Sequence, residues 1–243
     1  MGKVLDIKQL RYIYSGLNDN LSFTITLKEM CLNSGDVKAL TGVSGSGKST
    51  LLECIGLLRP DFTAEKFTLS DININEANEK NKVKLRSCYL GFMPQVGGLL
   101  PFLSIEENIR LQQDIAKKAD SNNVFTSEYN SLLFSKMKSL GLGDNLLKRY
   151  PHELSIGQRQ RAVFFKSLAH KPKLILVDEP TSSLDPKRAS EIFDFMKDMA
   201  RDFEVAVLVV THDAQLVHDK NIASINYIDD ESKESHSVFG VRS

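Results

Sequence analysis

Apolar and polar residues alternate near the start of the chain. Leu21, Phe23, Ile25 and Leu27 interleave with Ser22, Thr24, Thr26 and Lys28, the period-two mark of a half-buried strand. Val4 to Ile13 reads as its neighbour, with Ser15-Gly16-Leu17-Asn18-Asp19-Asn20 as the connecting turn. Val37-Lys38-Ala39-Leu40 suits a short buried strand, and Lys66 to Ile74 alternates again. Asn75 to Lys84 is polar and charged, a loop or a short solvated helix. Leu90-Gly91-Phe92-Met93-Pro94-Gln95 reads as a buried strand closed by proline. That leaves Gln95 at a carboxyl edge, where α/β proteins bind ligands.

The period then changes from two to that of a helix. Ser104-Ile105-Glu106-Glu107 forms a capping box and opens a helix whose apolar face carries Ile105, Ile109 and Ile115. After a polar break at Ala119 to Asn123, a second helix carries Tyr129, Leu132, Leu133, Met137 and Leu140, with Gly141 as its stop. Ser155 caps a third helix that runs through Phe164, Phe165 and Leu168 to about His170. Leu174-Ile175-Leu176-Val177 suits a parallel strand covered on both faces, and it ends on Asp178-Glu179-Pro180. Asp185-Pro186 caps a helix with Ile192, Phe195, Met196 and Met199 on one face. Glu204 to Val210 is another apolar strand ending at Thr211-His212-Asp213, and Ile222 to Ile228 suits a last one.

The order of elements predicts an α/β fold: a mostly parallel sheet flanked by helices, with an N-terminal antiparallel β-subdomain and a helical subdomain. The expected division is one domain over residues 1–243. Its core covers about 1–98 and 168–230, the helical subdomain about 99–167, and a polar, mobile tail 229–243.

Composition narrows this picture. Lys+Arg and Asp+Glu both number 31, so no net field draws the chain to nucleic acid, and no nucleic-acid partner is expected. Cys31, Cys54 and Cys88 are odd in number and lack metal spacing, as expected of reduced thiols in a cytosolic protein. The longest apolar run, Val205 to Val210, is far short of a membrane span, and the N-terminus does not resemble a signal peptide. Work at a membrane would therefore need spanning segments from another chain.

The candidate chemistry centres on Gly42-Val43-Ser44-Gly45-Ser46-Gly47-Lys48-Ser49-Thr50, which reads G-x-x-x-x-G-K-S between a strand and a helix. Glycines let successive N–H groups point inward as an anion nest, and the following helix adds its positive end. Lys48 reaches the β- and γ-phosphates of a nucleotide, and the Ser49 hydroxyl holds Mg²⁺. Asp178 supports Mg²⁺ through water, and Glu179 is placed to act as general base on the attacking water. Gln95 can bind Mg²⁺ or orient a water, and His212 can hydrogen-bond a γ-phosphate. Tyr12 or Tyr14 can stack on a base. The Ser155 helix tip is a second possible anion site.

Taken together, these motifs resemble the ATP-binding subunit of ATP-binding-cassette (ABC) transporters over nearly the whole length. The order matches: aromatic, phosphate loop, Gln at a strand end, L-S-x-G-Q at Leu154 to Gln158, Asp-Glu, Ser-Leu-Asp, then His. Gly91 to Gln95, Leu99-Leu100-Pro101 and Glu107-Asn108-Ile109 look most like the lipoprotein-release and macrolide-export branch. The resemblance implies two copies packed head to tail over two ATP molecules, driving transmembrane permease subunits from the inner face of the cell membrane. By the same resemblance Tyr14 stacks on the base, and Gln95 contacts Mg²⁺ and couples to the permease. Ser155 and Gly157, with Gln158 beside them, bind the γ-phosphate held by the opposite copy. Ser183 and Asp185 cross the interface, and His212 senses the γ-phosphate. The helical region from about 100 to 165 receives the permease.

Two departures stand out. Ile156 occupies the signature where glycine is commonest; in a first helical turn its φ would be ordinary, with a side chain facing the nucleotide or the interface. Asp61 to Asp71 lacks the turn glycines usual there. The competing reading is a soluble ABC ATPase acting as a mechanical or regulatory switch. DNA-repair members carry a long coiled coil, whereas here about sixty residues without sustained heptads separate Gln95 from Leu154. Translation-factor members resemble two tandem cassettes, and no second phosphate loop is present.

Overall fold

The computed structural model describes residues 2–14, 23–121, 126–182, 184–228 and 236–241. The alternating start becomes two long antiparallel strands, β1 (Lys3–Tyr14) and β2 (Phe23–Asn33), which bring Tyr14 opposite Phe23. The turn expected at Ser15 to Asn20 lies outside the described residues. β3 (Val37–Thr41) leads through the glycine-rich loop into α1 (Lys48–Ile55). β4 (Lys66–Leu69) and β5 (Ile72–Asn73) form a hairpin. Its turn has no glycine; Ser70 and Asp71 take φ of 47° and 68° themselves, with short polar side chains at the two positions that a tight right-twisted hairpin needs at positive φ. A 3₁₀ turn at Ile74–Glu76 precedes α2 (Glu79–Cys88), so much of the polar 75–84 stretch is a solvated helix that buries only Leu85 and Cys88 at its end.

β6 (Leu90–Met93) is followed by four helices: α3 (Ile105–Ala119), α4 (Ser127–Ser139), α5 (Asp144–Leu147) and α6 (Ile156–Leu168). The capping box at Ser104 forms as expected, and Gly141 takes a φ of 80° just past α4. Two expected core positions are wrong. Leu132 of α4 is 36% exposed, with Tyr129, Leu133 and Met137 forming the buried stripe. On α3, Ile115 is 42% exposed, and the buried stripe runs Ile105, Asn108, Ile109, Ala116. From Ile105 the i+3, i+4 and i+11 positions share a face, and Ile115 at i+10 lies off that line.

β7 (Leu174–Asp178), α7 (Pro186–Asp202), β8 (Ala206–Thr211), α8 (Ala214–Asp219), β9 (Ala223–Ile228) and β10 (His236–Gly240) complete the chain. Among the described residues the ten strands join one sheet in the order β5-β4-β1-β2-β10-β9-β3-β8-β7-β6. Its β9-β3-β8-β7-β6 half is parallel, and the half built on β1 and β2 is antiparallel apart from the β2–β10 pair. The central strands β7 and β8 are apolar on both faces. Ile175 and Val177 of β7 meet α3 to α7, while Leu174 and Leu176 meet α1 and the antiparallel strands. The polar tail expected over 229–243 is corrected at its end. Residues 236–240 insert as β10 between β2 and β9, burying Ser237 and Phe239. Without β10, both neighbours would carry unpaired backbone groups in mid-sheet, so pairing outweighs the polar composition of the preceding run.

Candidate nucleotide site

The carboxyl ends of the parallel strands converge on one edge, and the functional side chains follow from that. β3 delivers the loop 42–47, β6 leads to Gln95, β7 ends at Asp178 with Glu179 next, and β8 precedes His212. Within the loop Gly45 and Gly47 have φ of 79° and 92°, in the left-handed region. A Cβ on Gly47 would also lie 2.3 Å from Ile25 Cδ1, so a side chain there would add a clash to the backbone strain. Ser46 Oγ donates to the Val43 carbonyl at 2.8 Å and braces the turn. Lys48 is buried, and its ammonium donates to the carbonyls of Gly42 and Val43, each at 2.9 Å. It also stands 3.9 Å from Glu179 Oε1. Burial pulls the Lys48 pKa down, against the carboxylates of Glu179 and Asp178.

Ser44, Gly45, Gly47, Lys48, Ser49 and Thr50 line a cavity of about 440 Å³. Tyr14 and Phe23 join it from the antiparallel strands, and Gln95 and Glu179 from the ends of β6 and β7. Gly42 and Ser46 support the loop from behind through the contacts just given. Of the two tyrosines, Tyr14 lines the cavity, whereas Tyr12 packs edge-to-face on it at 5.1 Å. Sequence reasoning missed Phe23 as a cavity residue. Its place opposite Tyr14 follows from strand register, which the alternation alone does not specify.

Ser49 Oγ donates to Asp178 Oδ1 at 3.0 Å. Burial raises the Asp178 pKa above the usual carboxylate range, and the Ser49 hydrogen bond only partly offsets this. A desolvated carboxylate beside a hydroxyl, with the Gln95 amide on the same cavity, is a hard-oxygen donor set that suits Mg²⁺. Among the described residues there is no cluster of three or more His, Cys, Asp or Glu that could hold a metal ion. Glu179 adopts a φ of 43°, held by its N–H donating to Val210 O at 2.9 Å. Its Oε2 lies 2.7 Å from His212 Nδ1. A carboxylate only accepts, so Nδ1 carries the proton and the imidazole fixes the carboxylate in place. An anchored carboxylate at the mouth of a phosphate-binding loop can take a proton from a water attacking a phosphoryl group.

The signature residues lie elsewhere. Ser155 caps α6 by accepting from Gln158 N–H at 3.3 Å, while Gln158 Oε1 accepts from Ser155 N–H at 3.0 Å. Gln158 is therefore engaged in a capping box. Ser155, Ile156 and Gly157 line a different cavity, of about 430 Å³, together with Arg161, Leu184 and Arg188. Ile156 is 51% exposed and sits in the first helical turn without a positive φ, as expected. Asp185 caps α7, accepting from Arg188 N–H at 3.0 Å, and it is not on the phosphate-loop cavity. Ser183 lies outside the described residues. Gln160 ties the two regions together by donating to Pro180 O at 2.7 Å.

Comparison with known proteins points the same way. The ABC transporter family model matches residues 27–182. The lipoprotein-releasing system ATP-binding protein LolD of Rickettsia bellii is 36% identical over 216 residues, covering 89% of this chain and 91% of that protein. LolD of Legionella pneumophila (strain Lens) is 34% identical over 206 residues, covering 84% and 87%. Among solved structures, the dimeric structure of MJ0796, a bacterial ABC transporter cassette, superposes with a TM-score of 0.70 at 28% identity, covering 91% of this chain and 93% of that one. A post-hydrolysis dimer of the same cassette bound to ADP and Pi gives the same values.

Proposed function

We propose, since this chain belongs to the ABC transporter family, that two copies pair head to tail over two ATP molecules and drive separate transmembrane permease subunits. The chain is an ATP-binding and ATP-hydrolysing subunit of a transporter. One arrangement carries the dimer reading: the phosphate loop and the Ser155 helix tip, both suited to a phosphate, open on different cavities of the same chain. Each tip is then available to the γ-phosphate held by another copy, a contact made only in the closed pair. Only such a differential contact lets ATP shift an open–closed equilibrium.

Within each site the loop amides and Lys48 hold the triphosphate, and Tyr14 stacks on the base. Ser49, Asp178 and Gln95, with phosphate oxygens, would hold Mg²⁺, which supplies charge neutralisation of the triphosphate. Glu179 takes a proton from water as the water oxygen bonds to the γ-phosphorus. The bond from that phosphorus to the β–γ bridging oxygen breaks, giving ADP and phosphate. His212 keeps Glu179 in line.

Residues 99–167 act as a helical subdomain on a core of 1–98 and 168–230 and receive the permease. Val96, directly after Gln95, and Phe102 support this docking face, being 86% and 70% exposed. No helix among the described residues is long and apolar enough to cross a membrane, so the permease would hold the chain peripherally on the inner face of the cell membrane. The relatives named for lipoprotein release suggest permeases of that kind. The test is Glu179→Gln with Mg-ATP: it should elute as a nucleotide-loaded dimer and copurify from membranes with permease subunits. A variant that binds ATP fully yet stays monomeric would refute the sandwich.

A further inference from the structure

Tyr14 ends β1, and more than the strand holds its ring. Its hydroxyl shares a hydrogen bond with Thr50 Oγ1. Tyr12 abuts the ring edge-to-face. The Arg59 guanidinium carbon stands 5.8 Å from the centroids of both Tyr12 and Tyr14, within cation–π range of the two. Arg59 is itself aimed by Glu53, whose Oε2 accepts from Arg59 Nε at 2.6 Å. Thr50 and Glu53 both belong to α1, whose first residues are Lys48 and Ser49. A plain surface ion pair would satisfy Arg59 and Glu53, but it would not need the guanidinium against two tyrosine rings.

We propose that Arg59 is a positioning residue for nucleotide recognition: with Glu53 and Thr50 it fixes the Tyr14 ring relative to α1, so one helix registers both base and triphosphate. This rests on the reading of Tyr14 as the base platform. A half-buried aromatic at a strand end would otherwise sample several ring orientations, and a base stacking on it would bear the cost of ordering it. A guanidinium anchored by a carboxylate orders the ring beforehand.

The experiment measures binding of ATP and of inorganic tripolyphosphate, which has no base, to the full chain, together with steady-state hydrolysis. Arg59→Ala and Arg59→Gln should each weaken ATP about 3- to 5-fold, with kcat within about 2-fold and tripolyphosphate unchanged. Arg59→Lys, which keeps a cation over the rings, should recover most of the loss. Tyr14→Ala should weaken ATP, and adding Arg59→Ala to it should weaken ATP no further. Loss of tripolyphosphate binding in parallel with ATP would overturn the inference, because the damage would then lie in the loop. If Tyr14→Ala weakens ATP and neither Arg59→Ala nor Arg59→Gln does, positioning by Arg59 alone is wrong. If Tyr14→Ala leaves ATP unchanged, the platform reading fails and this inference with it.

Discussion

His212 Nδ1 lies 2.7 Å from Glu179 Oε2, so the residue just beyond β8 steadies the carboxylate just beyond β7. Register makes the pair possible: β7 and β8 run parallel with Asp178 opposite Val210, which places the two strand ends side by side. Glu179→Gln should lower turnover by about 10²- to 10⁴-fold with ATP affinity nearly intact, as expected for a lost general base. His212→Ala should fall between that variant and the wild type. Phosphate release and equilibrium ATP binding check both, and a larger loss in His212→Ala would reassign the base.

Lys48 holds the phosphate loop closed on itself through the Gly42 and Val43 carbonyls, and it carries a charge that burial disfavours. A triphosphate gives that charge a partner. Lys48→Ala should weaken ATP by at least about tenfold, since a charged hydrogen bond contributes about 1.5–3 kcal/mol. Calorimetric titration reads this directly, and unchanged affinity would remove the loop from the site.

Gly45 and Gly47 both have positive φ, but their surroundings differ. A Cβ meets nothing within 4 Å at Gly45, whereas at Gly47 it meets Ile25 Cδ1 at 2.3 Å. Gly45→Ala should cost about 1 kcal/mol of stability in the nucleotide-free chain and Gly47→Ala about 2–4 kcal/mol, because only the second adds a clash to the backbone penalty. Urea melts of the two variants would rank them. Equal losses would mean that the Ile25 contact relaxes freely.

Asp178 is raised in pKa chiefly by burial, so its charge opposes folding until a cation arrives. A carboxyl with a raised folded pKa lowers stability as pH rises from its unfolded value through its folded one. Asp178→Asn removes that titration. Its melting temperature should exceed the wild type by about 1–3 °C at neutral pH, the gain shrinking in acid, while Mg²⁺-dependent hydrolysis is lost. Calorimetric scans at several pH values test this; a variant less stable than wild type at neutral pH would refute it.

His170 is fully buried with Nε2 2.9 Å from Leu90 O, and burial pushes its pKa down to about 4 from an ordinary 6.5. Its neutral form therefore stabilises the fold above pH 6.5, and that contribution is lost as pH falls toward about 4, by at most about 1.4 kcal/mol per pH unit. His170→Gln keeps a donor for Leu90 without the titration. The stability gap between wild type and variant should narrow on acidification, as acid denaturation curves would reveal. A constant gap would mean that another group drives the acid transition.

Where the physics is local, the sequence was a sufficient guide. The capping box at Ser104 and the caps at Ser155 and Asp185 all form, because each is a hydrogen bond across three residues. The phosphate loop follows from its glycines and the strand before it, and the carboxylates at the end of β7 follow from an apolar run that stops at Asp178. Strands β1, β2, β3, β6, β7, β8 and β9 were legible from apolar periodicity for the same reason.

Contacts between distant parts of the chain were decided by tertiary structure alone. β10 was hidden in a polar stretch because its backbone partners, such as Thr24 opposite His236, lie some two hundred residues away. Ile115 faces outward although it looks like core, since which stripe of α3 is buried depends on what packs beneath it. Arg59 has no motif around it; only the fold sets it against Tyr12 and Tyr14. The chain's own residue order thus specifies which groups can grip a phosphate. Strand pairing and packing, whose free energy comes from surfaces that meet only after folding, determine which of those groups share one cavity.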